Sequence, residues 1–556
     1  MRKISFSTLL FFLLFSNLMA QVGELDPSFA DGGILQWNVT GRMNNSDGMA
    51  VQPDGKIVIG LTGEFDEEID LDIGVVRINP DGSVDESFGE NGVFHIDNPV
   101  GSDIMYHLEL LDDGSIMVGG GWATTQYDQD FLLIKLDSTG NLDPSFGEGG
   151  LAIHSVNIKE DYIRDFTFDD DGKIIAGGIS YNVIGLEIRN VVSRFNANGT
   201  IDPTFGDNGN FIWNWGDTYN DIRGVEITED RGILAAGRSV PAGTDRLSIY
   251  KILEDGSAMD STFAVNGELL APFNGTAYGM IVHSNGSIMI TGQNSGVMGD
   301  DLIILAYNQD GTPNSNFGQD GIFLIDVLSG DVGLDLIEQS DGKVIACGES
   351  GVFLGSPPRA FLSVRVTENG ELDTSWGGEG YVRTENGWMA WANNIAIQAD
   401  GKVLLTGPTA HDFNEMQVIR YGNFIDADMD TYGLDEDCND MDAAINPGAV
   451  EIPNNDIDED CDGMDLTVGI NENALTSYLK VYPNPANSHV TIELSDSETA
   501  IDLIEISDYQ GKKVKSIFKT PAEQNFRIDL EHFPQGLWLI TFHTNKGILI
   551  KRVVKI

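Results

Sequence analysis

The chain has 556 residues, more than one compact core normally organises, and this length indicates roughly two to four domains. Its 87 acidic and 32 basic residues give a formal net charge of −55. This charge argues against nucleic acid and anionic lipid as partners, because binding either one requires Lys and Arg to replace counterions. Cations are the expected small partners.

The N-terminus has the layout of a secretory signal peptide. Arg2 and Lys3 precede an apolar run over residues 9–15, and Ala20 precedes Gln21. The run is too short to serve as a permanent membrane anchor. We predict that residues 1–20 are removed on export. Gln21 stands where a lipoprotein would have Cys, so we expect no lipoprotein anchor. We also predict that the rest of the chain has no transmembrane segment.

A repeated phrase organises residues 21–425. Its seven copies, of the type LDPSFGEGG, start about 54 to 59 residues apart, at Leu25, Val84, Leu142, Ile201, Met259, Pro313 and Leu372. A fixed period of this size indicates a repeat architecture. Within a copy, Asp143 is expected to accept hydrogen bonds from the following turn, and Phe146 to fill a gap between repeats. The alternative is a set of seven shallow aromatic sugar-binding sites, which would leave Phe146 exposed.

The remainder of each repeat predicts four short strands. A second phrase, VQPDGKIVIG at residues 51–60, places Asp-Gly between two β-rich runs and indicates a tight hairpin. A third run, at residues 131–134, is apolar throughout and predicts a strand covered on both faces. Seven such units predict an all-β fold, a seven-bladed β-propeller. An open solenoid or a row of small sandwiches is the competing arrangement.

The alternation of the two phrases at this spacing resembles the delta-60 repeat family of β-propeller proteins over about 400 residues. The resemblance implies a propeller fold and leaves the activity open.

Residues 426–465 form an acidic segment with fifteen acids and no Lys or Arg. The spacing in the first half matches positions 1, 3, 5, 7 and 12 of a calcium loop, through Asp426, Asp428, Asp430, the carbonyl of Tyr432, and Asp437. A second alternating run contains Asp456, Asp458, Asp460 and Asp462. Hard oxygen ligands suit Ca²⁺. Thr431 in place of Gly and Asp437 in place of Glu predict a modest affinity, on the order of 10⁻⁴ to 10⁻³ M. An acidic spacer that holds ions loosely is the alternative.

The cysteines divide into a pair and a single residue. Cys438 and Cys461 lie in the acidic segment, and in a secreted chain they are expected to form a disulfide. Cys347 follows apolar residues in a predicted strand and is expected to be a buried core residue. The acidic segment resembles the cysteine-containing, Asp-rich metal-binding motif of secreted bacterial proteins and, less closely, the calcium repeats of thrombospondins.

After a linker over residues 466–478, residues 479–556 predict a small β-sandwich of about seven strands. The alternation through Val490, Ile492 and Leu494 indicates an antiparallel strand, and Gln510-Gly511 and residues 545–547 indicate hairpins. The stretches YPNPANSHVTIEL, DYQGKKV, GLWLITF and IKRVVKI resemble the C-terminal sorting domain of the type IX secretion system of Bacteroidetes. The resemblance implies that the type IX machinery exports the protein, which is then released or attached to the outer-membrane surface.

No catalytic set is predicted. Five histidines of the repeat region lie in separate repeats, and we expect each to be a surface or core residue: His95, His107, His154, His283 and His411. The chain has no HExxH, GxSxG or phosphate-binding glycine loop. We therefore favour a non-enzymatic secreted or surface protein that binds a glycan, a protein or a matrix component. The alternative is a secreted hydrolase or lyase acting on polysaccharide or peptide, with acids gathered at the propeller axis.

Overall fold

The structure is a computed structural model. It describes residues 22–65, 70–125, 128–156, 160–182, 187–214, 220–241, 244–295, 300–351, 358–387, 389–410, 414–422, 438–439, 442, 444–449, 451–452, 455, 457–461, 479–494, 500–509, 511–518, 525–545 and 547–556. The chain divides into two compact units, Met1–Ala443 and Ala444–Ile556. The predicted boundaries at residues 425, 465 and 478 lie outside the described residues and stay predictions.

The first unit begins with strand β1 (Ile34–Trp37), which is followed by six four-stranded antiparallel sheets. The first three sheets comprise β2 (Asn44–Val51), β3 (Ile57–Gly63), β4 (Asp72–Ile78) and β5 (Val93–Ile96); β6 (Ile104–Leu110), β7 (Ile116–Thr125), β8 (Asp128–Leu136) and β9 (Leu151–His154); and β10 (Asp161–Phe168), β11 (Ile174–Asn182), β12 (Glu187–Phe195) and β13 (Asn210–Trp213). The next three comprise β14 (Asn220–Ile227), β15 (Ile233–Ser239), β16 (Arg246–Ile252) and β17 (Glu268–Leu270); β18 (Gly275–Val282), β19 (Ile288–Ser295), β20 (Asp300–Tyr307) and β21 (Ile322–Ile325); and β22 (Asp331–Glu338), β23 (Val344–Ser350), β24 (Ala360–Val366) and β25 (Tyr381–Thr384).

The last sheet of this unit joins the two ends of the repeat region. It contains β26 (Met389–Ala390), β27 (Asn394–Ile397), β28 (Val403–Ala410) and β29 (Asn414–Tyr421), and β1 completes it by pairing antiparallel with β29. The first strands of successive sheets pack against one another in chain order, and β2 packs against β27 and β28. The sheets therefore close into a ring. The predicted β-propeller is confirmed, and the open-row alternative is wrong.

The strand chemistry follows the sequence pattern. Residues 131–134 in the third strand of their sheet are fully buried, because neighbouring sheets cover both faces. The Asp-Gly hairpin is closed by a hydrogen bond from Gln52 N to Lys56 O at 2.8 Å, and Gly55 has the φ of +80° that this turn requires. The hairpin prediction is confirmed at this position.

The repeated phrase forms the joints between sheets. Its aromatic residues are at most 1% exposed: Phe29, Phe88, Phe146, Phe205, Phe263, Phe317 and Trp376. Ser145 N donates to Asp143 Oδ1 at 2.9 Å, as the turn prediction requires. Gly147 N donates to Asn198 O of the next repeat at 2.8 Å, and every copy makes an equivalent bond, the last running from Gly377 N to Val22 O at 3.1 Å. The alternative of seven sugar-binding aromatics is wrong.

An ion pair accompanies six of the seven joints. Arg77 Nε donates to Asp85 Oδ2 at 2.7 Å, and Arg77 Nη1 donates to Ser138 O of the next repeat at 2.6 Å. Burial alone would raise the pKa of Asp85, but hydrogen bonds from Ser87, Lys56 and Arg77 outweigh it and hold the pKa well below its usual range. Equivalent pairs are Arg194–Asp202, Arg365–Asp373, Arg420–Asp26, Lys135–Asp143 and Lys251–Asp260.

One copy lacks this pair, and it lacks both partners at once. Ala306 stands where the cation would be, and Asn314 replaces the Asp, while the backbone bond from Asn314 N to Ala306 O remains at 2.9 Å. The joint replacement is what electrostatics demands, because a buried charge without its partner is costly. The residues that recur in the repeated phrase therefore have a structural role in the joints between sheets.

The second unit contains a three-stranded and a four-stranded sheet in its described residues. They comprise β30 (Leu479–Tyr482), β31 (His489–Leu494) and β34 (Asn525–Asp529); and β32 (Ile501–Asp508), β33 (Lys513–Phe518), β35 (Gly536–Thr544) and β36 (Gly547–Lys555). The sheets share one apolar core, which includes Val490, Ile492, Ile504 and Ile540. Alternate residues of β31 are buried, as the period-two pattern predicts. Across the described residues of both units, no helix is long and apolar enough to span a membrane.

Candidate functional site

The inner strands β2, β6, β10, β14, β18, β22 and β27, one from each sheet, surround a cavity of about 760 Å³, which we call the axial cavity. Six of these strands carry a β-bulge at the same register. The extra residues are Asp47, Tyr106, Arg164, Arg223, Tyr278 and Leu334. In the last sheet Asn393 stands between β26 and β27. A bulge re-aims its side chain, and all seven residues line the axial cavity.

The residues that line the axial cavity differ from repeat to repeat, whereas the residues that form the joints recur. The bulge position alone holds an acid, two phenols, two guanidiniums, an aliphatic side chain and an amide. The position that follows holds His107, Asp165, Asp335 and Asn394 in four repeats and glycine in the other three. A site made of unlike groups can recognise an asymmetric ligand, whereas a ring of identical groups could not fix its orientation.

Two arginines and their neighbours form the first group, the arginine–tyrosine group. Arg223 contacts Asp221 Oδ2 through Nε at 2.8 Å and through Nη2 at 2.7 Å. Arg164 Nε lies 3.7 Å from the other carboxylate oxygen, Asp221 Oδ1. The guanidinium carbon of Arg164 lies 4.2 Å from the ring centroid of Tyr106, and that of Arg223 lies 4.5 Å from the ring centroid of Tyr278. The ion pairs and aromatic contacts hold both cations at the cavity wall.

Acids and one imidazole form the second group, the acid–histidine group. His107 Nδ1 lies 3.2 Å from Asp165 Oδ1, while Asp165 Oδ2 accepts a hydrogen bond from Val225 N at 2.6 Å. Asp335 is held in the same way, because its Oδ2 accepts from Ile395 N at 3.1 Å. Each aspartate therefore ties its own inner strand to a backbone amide on the following inner strand and stays at the cavity wall.

Burial raises the pKa values of these carboxyls, because the ring of sheets separates them from bulk water. The pKa of Glu226 rises to about 8, first through burial and then through the nearby charges of Asp165 and Glu109. Burial likewise raises the pKa of Glu109 to about 7 and that of Asp335 to about 6. Near neutral pH the group therefore contains both proton donors and proton acceptors, which is the requirement for general acid–base chemistry.

Sequence reasoning missed this lining. It placed the five histidines in separate repeats, but His107 and His154 lie in one sheet, on β6 and β9. It also assigned no role to Asp165, Glu109, Glu226 or the two arginines. The one available signal was disagreement between repeats at a fixed register of the first strand. Of the other repeat-region histidines, His283 is buried and its Nε2 lies 3.1 Å from Gly342 O, and His154 Nε2 lies 3.0 Å from Asn210 Oδ1; His411 lies outside the described residues.

The acidic segment contains a candidate metal centre in its described part. Carboxylate oxygens of Glu451, Asp458 and Asp460 all lie within 4.8 Å of one another. The sequence predicted Asp458 and Asp460 as ligands and missed Glu451. The other predicted ligands, Asp426, Asp428, Asp430, Tyr432, Asp437, Asp456 and Asp462, lie outside the described residues and stay predictions.

A buried glutamate organises this centre. Glu459, 4% exposed, accepts from Ile452 N at 2.9 Å through Oε2, and its carbonyl accepts from Asn446 N at 2.8 Å. Glu451 Oε1 in turn accepts from Glu459 N at 2.6 Å and from Asp460 N at 3.1 Å. These bonds bring Glu451 beside Asp460 although the two residues are nine positions apart in sequence. Cys438 and Cys461 are disulfide-bonded, as predicted, and Cys347 is free and buried.

Family comparisons agree with three parts of the chain. Residues 52–88, 111–146, 170–205 and 339–375 match the model described as a domain of unknown function (DUF5122) β-propeller. Residues 437–465 match the model of a metal-binding motif of the copper-binding MopE type. Residues 480–556 match the secretion system C-terminal sorting domain. The predicted resemblances to a repeat β-propeller, a metal-binding motif and a C-terminal sorting domain are therefore confirmed, and the sorting domain marks the protein as secreted or surface-located.

Three solved structures show partial and distant similarity to the chain. Virginiamycin B lyase from Staphylococcus aureus is 11% identical, with 69% of this chain and 98% of that chain covered and a TM-score of 0.41. The β-propeller domain of the Trilobed protease from Pyrococcus furiosus is 12% identical, with coverages of 68% and 93% and a TM-score of 0.37. An α-L-arabinofuranosidase from Fusarium graminearum is 9% identical, with coverages of 63% and 97% and a TM-score of 0.37. No curated protein matches the chain.

Proposed function

Because the chain is a secreted β-propeller protein with a type IX sorting domain, we propose that it is a binding protein that takes up its ligand in the axial cavity. One observation carries the proposal: the residues that recur between repeats are buried in the joints, while the residues that differ between repeats line one cavity. The volume of about 760 Å³ falls within the roughly 300 to 1,000 Å³ typical of small-molecule sites. Glycans and short protein segments are the candidate ligand classes.

The ring makes this cavity a rigid receptor. Each sheet is joined to the next by a backbone hydrogen bond, a buried aromatic residue and, in six of seven joints, an ion pair. A wall fixed in this way loses little conformational freedom when a ligand binds, so more of the contact energy appears as affinity.

The test is an array of glycans and extracellular-matrix proteins, probed with the chain from Gln21 to Ile556. Tyr278→Ala alters the cavity wall, and Tyr509→Ala removes the same side chain from an exposed position of the sorting domain. We expect one ligand class to bind the wild type and the Tyr509 variant and to bind the Tyr278 variant more weakly. Binding that is equal in all three chains would place the ligand elsewhere and contradict the proposal.

For the acidic segment we propose Ca²⁺ as the resident ion. Its available donors are carboxylates and carbonyls, since residues 426–465 contain no histidine and both cysteines are bonded to sulfur. Hard oxygen donors suit Ca²⁺ and give little preference to copper, which favours imidazole and thiolate. Isothermal titration of the whole protein with Ca²⁺, Mg²⁺ and Cu²⁺ tests the assignment, with saturable heat expected for Ca²⁺ at sub-millimolar to millimolar ion.

A second candidate function is hydrolysis or elimination on a polysaccharide or peptide. The specific observation in its favour is the His107–Asp165 contact at 3.2 Å beside carboxyls that hold protons near neutral pH. A screen of polysaccharides and peptides for new reducing ends, unsaturated products or free amines tests it, with His107→Gln as the inactive variant. Turnover that survives this substitution would contradict the assignment of His107.

We also propose that residues 1–20 are removed as a signal peptide. The basic pair Arg2 and Lys3, the apolar run and Ala20 support this. N-terminal sequencing of the exported protein is expected to begin at Gln21.

A further inference from the structure

The arginine–tyrosine group is unusual for this molecule. The chain carries a net charge of −55, yet two arginines occupy the bulge positions of adjacent inner strands, β10 and β14, and both line the axial cavity. The joint arginines, such as Arg77 and Arg194, are buried between sheets against their own aspartates. Arg164 and Arg223 instead keep about a fifth to a quarter of their side-chain surface exposed, 21% and 25%.

Arg164 and Arg223 present two guanidinium groups at one wall of the axial cavity. Among the described residues, Asp221 lies within ion-pair distance of both, at 3.7 Å from Arg164 and 2.7 Å from Arg223. Asp47 lies in the same cavity, but burial raises its pKa to about 7, so its charge is only partly present near neutral pH. An anion that enters the cavity therefore meets two guanidinium groups at this wall.

The geometry selects a planar, two-oxygen anion. Asp221 and the rings of Tyr106 and Tyr278 fix the planes of the guanidinium groups, and a guanidinium fork fits a carboxylate through parallel hydrogen bonds. The bulges aim both forks into the cavity, because all of these residues line it except Asp221, which is buried behind them.

The acid–histidine group then limits what the rest of the ligand can be. The acid–histidine group offers no Arg or Lys to pair with a second carboxylate, and the ionised fraction of its acids would repel one, so a ligand with an acid on every unit, such as an acidic peptide, is disfavoured. The same groups, with His107, can both donate to and accept from hydroxyls. A ligand with one carboxylate and many hydroxyls can bind both the arginine–tyrosine group and the acid–histidine group.

We propose that the axial cavity binds an acidic saccharide, with the carboxylate of a uronate ring on Arg164 and Arg223 and the hydroxyls of the saccharide on the acid–histidine group. This inference rests on the proposed function, because it names the ligand class of the same cavity.

The experiment is isothermal titration of the chain from Gln21 to Ile556 with aldobiouronic acid, a glucuronate linked to xylose. Its methyl ester is the matched neutral saccharide, and Glu-Glu is the acidic peptide. We expect aldobiouronic acid to bind about tenfold or more tightly than its methyl ester and than Glu-Glu, because loss of a charge-assisted bond costs at least this factor.

Variants then locate the carboxylate. Arg164→Gln and Arg223→Gln are each expected to weaken aldobiouronic acid about tenfold while leaving the methyl ester nearly unchanged. Arg231→Gln removes the same charge from a turn outside the axial cavity and is expected to bind like the wild type. Arg223→Lys keeps the charge without the planar fork, so it serves if the Gln variant does not fold, and it is expected to bind aldobiouronic acid more weakly than the wild type.

Three results would overturn the inference. Equal binding of aldobiouronic acid and its methyl ester would show that the cavity recognises the neutral part of the saccharide. The proposed binding function would then still hold. Tighter binding of Glu-Glu would assign the cavity to peptides. Absence of binding by aldobiouronic acid, or unchanged binding in both arginine variants, would remove the carboxylate site, while the array described above decides separately whether the cavity binds anything.

Discussion

The guanidinium of Arg77 lies against the ring of Phe88, with its central carbon 4.8 Å from the ring centroid. The same arrangement recurs at three further joints, for example in Arg194 over Phe205 at 4.9 Å. At such a joint, cation, aromatic ring and paired aspartate lie together between two sheets. Apolar burial and ion pairing therefore act together at the contact between neighbouring sheets, and they stabilise the closed ring.

Phe146→Ala is expected to destabilise the propeller by about 3 to 5 kcal/mol, because it removes a fully buried ring and leaves a cavity between sheets. Urea unfolding followed by tryptophan fluorescence measures the change. Phe518→Ala, at a position 81% exposed in the second unit, is the matched control and is expected to change stability by less than about 0.5 kcal/mol. A small effect of Phe146→Ala would contradict the assignment of the repeated phrase to the joints.

The Arg194–Asp202 pair offers a test by double-mutant cycle. Asp202→Asn leaves Arg194 buried without its countercharge and is expected to cost about 3 to 5 kcal/mol. Arg194→Ala with Asp202→Asn reproduces the Ala306 and Asn314 combination that the chain itself uses in another joint. The double variant is expected to lose less than the sum of the two single losses. Strict additivity would mean that the two side chains do not interact.

Glu226→Gln tests the raised pKa of this carboxyl. The folded pKa of about 8 exceeds the ordinary value of 4.5, so the folded protein holds a proton that the unfolded chain releases between these values. Wild-type stability should therefore fall as pH rises from about 4.5 to about 8. The Gln variant is expected to match the wild type near pH 4.5 and to exceed it by about 1 to 3 kcal/mol at pH 8.

Thermal unfolding at a series of pH values measures this difference. Glu229→Gln, an exposed neighbour in sequence, is the control and is expected to leave the pH profile unchanged. A Glu226→Gln variant that is less stable than the wild type at pH 8 would show that the carboxylate is stabilised in the cavity, contrary to the burial argument.

Glu451→Gln is expected to weaken Ca²⁺ binding about tenfold, because a charged ligand becomes neutral while its oxygen can still accept from Glu459 N and Asp460 N. Titration calorimetry of the whole protein gives the affinity. Glu148→Gln, an exposed acid of the propeller, removes the same charge elsewhere and is expected to bind as the wild type does. Chelation of the ion should lower the unfolding temperature of the wild type more than that of Glu451→Gln.

The architecture could be predicted because it depends on patterns among residues that are close in sequence. The period of the repeated phrase, the Asp-Gly turns, and the apolar run at Phe131 each depend on neighbours in sequence, so they specify strands, hairpins and their number of repeats. The burial of Phe146 and the disulfide state of Cys438 and Cys461 also agreed with prediction. Two of the three residues of the described acidic cluster could be named as well, since Asp458 and Asp460 alternate in sequence.

The site itself was decided by tertiary structure. A single extra residue in six of the seven inner strands changes which side chains face the axis, and a one-residue register shift exchanges the two faces of a strand. Sequence alone does not show that Arg164 and Arg223 both approach Asp221, that His107 reaches Asp165, or that hydrogen bonds from two backbone amides bring Glu451 to Asp460. These contacts join residues that are distant in the chain, and only closure of the ring and folding of the acidic segment bring them together.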